Sequence, residues 1–99
     1  MIIFNIIQNN EKKAEEISAF LIEKNYATYT HIDVNVISNI NSKKQTIRLF
    51  FITKALLYNE IERQIMNLFH SNEMMIYATP ISHINEEFGD LLRNKIKAV

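Results

Sequence analysis

The chain has 99 residues, which is the size of one domain and leaves no room for a second hydrophobic core. Hydrophobic residues make up 47% and charged residues 22%, so the chain lies outside the disordered class. Eleven basic and eleven acidic residues give a formal net charge of +0, which argues against binding to nucleic acid, and the absence of cysteine excludes disulfides and thiolate metal sites. We expect a single domain over 1–99.

The apolar segment at the start of the chain has the features of neither a signal peptide nor a membrane span. Its sequence, MIIFNII, has no basic flank and leads directly into the polar run QNNEKK. We expect a cytoplasmic protein with no membrane partner. The many Ile and Asn residues are typical of an AT-rich bacterial genome.

The first half of the chain predicts a strand, a helix and a second strand. The run 1–7 is apolar throughout and predicts a central strand buried on both faces. Residues 11–24 repeat apolar positions at helical spacing, with Asn9 or Asn10 as the N-cap. Residues 26–37 are rich in β-branched and aromatic side chains and alternate in polarity, which predicts a long strand.

The second half begins with a hairpin, because the polar segment 38–44 separates this strand from the strand-like IRLFFI run. The further predicted elements are a strand over 45–53, a helix between 54 and 70, a strand over 74–78 and a last helix over 86–96. Asn59 and Glu62 have the spacing of a capping box at the start of the helix that follows the hairpin.

This order predicts an α+β fold of the ferredoxin-like, split βαβ type (βαββαβ), an antiparallel sheet with an added C-terminal helix. Two helices cover only one face of such a sheet, yet the strands are apolar on both faces. Phe51 and Ile52, for example, point in opposite directions, and the pattern leaves open which of them enters the core. We therefore expect the second face to meet another copy of the chain.

Three motifs in the second half resemble the CutA family, small trimeric proteins named for divalent-cation tolerance. They are ITK at 52–54, HSNE at 70–73, which is similar to the family's His-Pro-Tyr-Glu, and TPISHINEEF at 79–88, which is similar to its Leu-Pro-Val motif with the helix that follows. The resemblance implies a homotrimer of ferredoxin-like subunits, related in shape to the nitrogen-regulatory PII proteins. It also implies ligand sites in the clefts between subunits.

The chain departs from the family pattern at several positions, which identifies it as a divergent member. Tyr29 stands near the family's usual cysteine and His31 near its asparagine, so the cysteine-based copper site proposed for the family does not carry over. The hairpin is shorter and lacks the family's tryptophan and glycine. The second acidic residue after the His-Pro-Tyr-Glu motif is also missing.

His70 and Glu73 are the candidate metal ligands, because an imidazole and a carboxylate three residues apart can share one ion. Two ligands per chain predict only weak binding of a divalent metal such as copper or zinc. The alternative is structural, with His70 at the C-terminus of a helix, where positive charge is favoured, and Glu73 in a local pair.

Five further residues are candidates for a ligand in a subunit cleft. Tyr29 and His31 share one strand face and could meet their symmetry mates in a trimer, although a polar strip on an exposed strand is the simpler explanation. Arg48 and Lys54 could each hold an anionic ligand or a carboxylate of a neighbouring subunit. His83 lies in a predicted loop, where functional residues are frequent.

The sequence contains none of the common nucleotide-binding or hydrolase motifs. With the resemblance to the CutA family, we expect a non-enzymatic, CutA-like trimeric binding or signalling protein. One alternative is a small ferredoxin-like enzyme of the cofactor-free oxygenase type, using His31 or His83 as a base. Another is a purely structural assembly partner.

Overall fold

Strands and helices follow one another in the order that the sequence predicts. The structure is a computed structural model that describes residues 1–38, 43–71 and 73–99. Its elements are β1 (Ile2–Gln8), α1 (Glu11–Glu23), β2 (His31–Ser38), β3 (Lys43–Thr53), a 3-10 turn (Ala55–Leu57), α2 (Tyr58–Phe69), β4 (Met75–Pro80) and α3 (Glu86–Lys95). Among the described residues, no helix combines the length and apolar character needed to cross a membrane.

The four strands form one antiparallel sheet in the spatial order β2-β3-β1-β4. β1 lies in the interior of the sheet and pairs with β3 on one side and β4 on the other, so Phe4 stands opposite both Phe51 and Ala78. With α1 between β1 and β2 and α2 between β3 and β4, this is the split βαβ arrangement. The predicted α+β, ferredoxin-like fold with an added C-terminal helix is confirmed.

β2 and β3 form the predicted hairpin, but β3 is longer than predicted. It begins at Lys43 rather than at 45, because Lys43 pairs with Ser38 at the end of β2. The predicted polar connection 38–44 therefore includes strand residues at both ends. Its central part, 39–42, lies outside the described residues.

The start of β2 differs from the prediction, because the end of α1 uses residues that were expected to form a strand. Asn25 adopts a left-handed φ of 61°, and the Tyr26 N–H donates to the Leu21 carbonyl at 3.0 Å, as in a Schellman motif. Tyr26 and Ala27 enter the core from this helix end. β2 begins only at His31.

One predicted helix cap is present and the other is wrong. Asn10 caps α1, since its Oδ1 accepts a hydrogen bond from the Lys13 N–H at 3.0 Å. Asn59 and Glu62 do not form the capping box that their spacing predicts. The 3-10 turn leads directly into α2, so the buried Leu57 occupies the N-cap position and no side chain caps the helix.

α1 and α2, which we call the helix layer, bury one face of the sheet. The Phe4 ring stacks on Phe51 with 5.1 Å between centroids, and it lies 5.1 Å from the Tyr58 ring of α2. Phe51 is 1% exposed, whereas Ile52 leaves the opposite face and is only half-buried. The choice that the pattern left open is thus resolved, with Phe51 in the core.

Candidate functional site

The sheet face opposite the helix layer, which we call the open face, carries two of the predicted candidates, His31 and Arg48. Residues that pair directly across strands project from the same face. Two rows of the open face therefore cross all four strands, namely Tyr77, Asn5, Phe50 and His31, and Met75, Ile7, Arg48 and Asp33.

Aromatic and cationic side chains on and beside the open face form a continuous row, which we call the aromatic row. Phe88 of α3 lies 6.1 Å from the Tyr29 ring, and Tyr29 meets His31 edge to face at 5.3 Å. His31 stacks on Phe50 at 4.8 Å with an interplanar angle of 16°. The guanidinium carbon of Arg48 lies 4.1 Å from the centroid of Phe50. Tyr29, His31 and Arg48 are thereby brought together through Phe50.

A buried amide on β1 anchors the Arg48 end of the aromatic row. The Arg48 Nε group donates a hydrogen bond to Asn5 Oδ1 at 3.0 Å. The Asn5 Nδ2 group donates in turn to the Ile3 carbonyl at 3.3 Å. Asn5 is 1% exposed, so its amide is held in the sheet and orients the half-buried guanidinium.

Lys54 lies apart from the aromatic row. Its Nζ group donates to the carbonyls of Ile96 and Lys97 at 3.2 and 3.1 Å. The Lys97 N–H also donates to the Asn25 carbonyl at 2.7 Å. Lys54 therefore holds the segment that follows α3 against the end of the sheet, so a structural role accounts for this side chain.

Glu60 completes this attachment of the C-terminal segment, which we call the C-terminal clamp. Its carboxylate accepts hydrogen bonds from the Lys97 ammonium and the Tyr26 hydroxyl, both at 2.5 Å. These two donors hold the pKa of Glu60 below its usual range. Burial, together with the bond to Glu60, raises the pKa of Tyr26 to about 12.

The two candidate metal ligands lie at the opposite end of the helix layer. His70 is exposed and occupies the C-cap position of α2, and Glu73 accepts a hydrogen bond from Asn9 Nδ2 at 3.2 Å. Within the described ranges, no three His, Asp or Glu side chains cluster closely enough to hold a metal ion. Metal binding by His70 and Glu73 stays a prediction.

His83 is separate from all of these groups. It lies exposed in the connection between β4 and α3. Asn5, Phe50 and Phe88 also belong to the site, although the sequence patterns did not predict them as members. Asn5 carried a usable signal, since it is the single polar residue inside the run MIIFNII, and a polar side chain in a buried strand needs a partner.

Comparison with known proteins agrees with this architecture. No protein-family model matches the sequence, and no curated protein matches it significantly. Among solved structures, CutA from Pyrococcus horikoshii superposes with a TM-score of 0.88 at 16% identity, covering 98% of this chain and 100% of that one. This chain has the CutA fold.

Two further solved structures share the CutA fold with this chain. The divalent cation tolerance protein of Thermus thermophilus gives a TM-score of 0.80 at 21% identity, covering 98% of this chain and 100% of that one. The periplasmic divalent cation tolerance protein CutA of Archaeoglobus fulgidus gives 0.81 at 19% identity, with the same coverage. The predicted resemblance is confirmed in the fold, and the low identities agree with a divergent sequence.

Proposed function

We propose that this protein is a non-enzymatic, CutA-like binding or signalling protein that works as a homotrimer, with its ligand in a cleft beside the open face. One observation carries the proposal. Tyr29 and His31, which were predicted together, and Arg48, which was predicted separately, lie in one aromatic row on and beside the sheet face that the helix layer leaves uncovered.

The composition of the open face supports self-association. Met75 is 56% exposed and Tyr77 36% exposed, and Ile3, Ile7 and Ile52 beside them are only half-buried. A contiguous apolar patch on a small protein commonly marks an interface, and homo-oligomers bury such patches around a symmetry axis. Three copies would turn these faces toward one another and create clefts at their edges.

The proposed link to divalent cations rests on the names of the structural neighbours. In this chain, copper or zinc would bind weakly through His70 and Glu73.

We also propose a cytoplasmic location, although the Archaeoglobus fulgidus neighbour is called periplasmic. Fractionation of the source cells, with compartment markers as controls, tests the location.

The oligomeric state tests the proposal most directly. Light scattering after size exclusion should give three times the chain mass of 11.7 kDa. The mass should stay constant over a dilution series in the micromolar range. A stable monomer in this range would overturn the proposal.

The oxygenase alternative gains no support from the described residues. A base for that chemistry works in a water-excluded pocket, whereas His31 and His83 are both exposed in the single chain. Saturable binding of a small ligand at the open face would contradict the purely structural alternative.

A further inference from the structure

Arg48 is a charged residue of the open face that forms no ion pair with any described residue. In the described part of the chain, ion pairs join Arg93 to Asp90 and Lys97 to Glu60, and neither involves Arg48. Asp33 stands opposite Arg48 in the register of β2 and β3. The guanidinium nevertheless turns the other way, toward Asn5 on β1.

The structure holds this guanidinium in one position from two sides. Asn5 accepts from Nε, and the guanidinium carbon lies over the Phe50 ring, on which His31 is also stacked. Within the described residues, the two terminal amino groups of Arg48 form no hydrogen bond. Burying part of a cation without a counter-charge is costly, and a guanidinium fork is shaped to bind an oxyanion through two parallel hydrogen bonds.

From these contacts we infer that Arg48 binds the carboxylate of an organic anion with a planar, apolar body. The surroundings favour this class, because the aromatic ring of Phe50 lies beside the guanidinium and offers a planar apolar surface. A carboxylate carries one negative charge, which the single charge of Arg48 can balance, and its two oxygens match the guanidinium fork. The inference rests on the proposed function, since it names the ligand class of the same site.

Benzoate is the probe for this site, with acetate and benzamide as matched controls. Acetate has the carboxylate without the planar body, and benzamide has the body without the charge. Calorimetric or ligand-observed NMR titration of the full chain should give saturable binding of benzoate, weaker binding of acetate and no saturable binding of benzamide. Equal binding of benzoate and benzamide would overturn the inference, as would no saturable binding of benzoate at millimolar concentration.

Three variants assign the binding to Arg48. R48L should lower benzoate affinity by about tenfold or more, the usual effect of losing a charged hydrogen-bonding partner. R93L removes an exposed arginine of α3 and should bind benzoate like wild type. If R48L fails to fold, N5D serves instead, because it places a carboxylate at the position of the Asn5 amide, where it can form an ion pair with Arg48. N5D should therefore block benzoate while a cooperative melt is retained, and wild-type affinity in folded R48L or N5D would contradict the assignment.

The carboxylate that Arg48 binds could instead belong to a side chain of a second copy of the chain. The same experiment distinguishes a carboxylate of a neighbouring subunit from that of a free molecule. If benzoate fails to bind while R48L dissociates the oligomer, the partner of Arg48 is a neighbouring subunit and the free-ligand site is wrong. Failure of the benzoate site can also be distinguished from failure of the proposed trimer. A trimer that ignores benzoate leaves the trimer proposal standing, whereas a monomer that binds benzoate through Arg48 overturns the trimer and supports the site.

Discussion

The two faces of the sheet are built from similar residue types, yet their aromatic side chains are shielded from water in different ways. On the covered face, Phe4 and Phe51 stack on each other and are sealed by the helix layer. On the open face, Phe50 stacks instead on His31 and lies beneath Arg48, side chains that tolerate water. An aromatic side chain in the core is shielded from water by a helix, whereas one on an open sheet face is shielded in part by polar side chains that pack against it.

Among the described residues, each face buries one side-chain amide, and the two amides differ in their hydrogen bonding. Asn5, on the open face, both donates and accepts a hydrogen bond. Gln8, on the covered face, is 2% exposed, and neither its Nε2 nor its Oε1 has a partner among the described residues. The open face therefore contains the better satisfied polar group, as expected where a site must hold a defined geometry.

The largest expected effect is the loss of the fold when the covered face is charged. Phe51→Asp removes a fully packed ring and places a carboxylate in the core. Truncation of a buried Phe alone costs about 3 to 5 kcal/mol, a large part of a typical domain's stability. We expect no cooperative thermal melt by circular dichroism. A variant that melts like wild type would contradict the assignment of Phe51 to the core.

The adjacent substitution on the open face should change assembly rather than folding. Ile52→Asp leaves the stacking of Phe4 on Phe51 intact but charges the surface proposed to meet other subunits. We expect a cooperative melt together with a lower mass by light scattering. Unchanged mass and unchanged melting temperature would contradict the idea that the open face is an interface.

The two buried amides give a matched pair of smaller effects with opposite signs. Gln8→Leu replaces an unsatisfied amide with an apolar side chain of similar size and should raise the free energy of unfolding by about 1 to 3 kcal/mol. Asn5→Leu removes the acceptor of Arg48 and should lower it by a similar amount. Urea denaturation of both variants measures the difference. Destabilisation by Gln8→Leu would mean that this amide has a partner after all.

Acid should loosen the C-terminal clamp, which anchors the chain just beyond α3 and its Phe88. The folded pKa of Glu60 lies below its usual value of 4.5, so ionised Glu60 stabilises the fold above that pH, and the contribution disappears as the pH falls through the lowered pKa. Glu60→Gln should therefore melt below wild type at neutral pH. The gap should narrow as the solution is acidified past this range, and a gap independent of pH would argue against the clamp.

The smallest effect is expected for metal at the end of the helix layer. His70 and Glu73 supply at most two ligands per chain, so calorimetry with copper or zinc should reveal no tight site. His70→Ala should change the weak binding only slightly, with His83→Ala as the matched control. Submicromolar affinity that His70→Ala abolishes would move the functional site from the open face to the helix layer.

Strand and helix order followed from the sequence because hydrophobic periodicity is local. The apolar run of β1, the helical spacing in α1 and the alternation in β2 each reflect a side-chain direction that the backbone repeat imposes. The same local reasoning failed at Tyr26, which has strand character in sequence but follows the left-handed Asn25 at the end of α1. It failed again at Asn59, because the 3-10 turn leads directly into α2, which begins at Tyr58, before the predicted cap.

The sequence alone also determined that the strands are apolar on both faces, since successive side chains alternate, and that thiolate chemistry is absent. Only the tertiary structure decided that Phe51 is the core residue, because the packing of α1 and α2 selects the face. Only the register of β1, β2 and β3 brought Asn5, Arg48, Phe50 and His31 together. The contact between Asn5 and Arg48 joins residues 43 positions apart. No local pattern encodes such a contact, because strand pairing and the folding of the whole sheet create it.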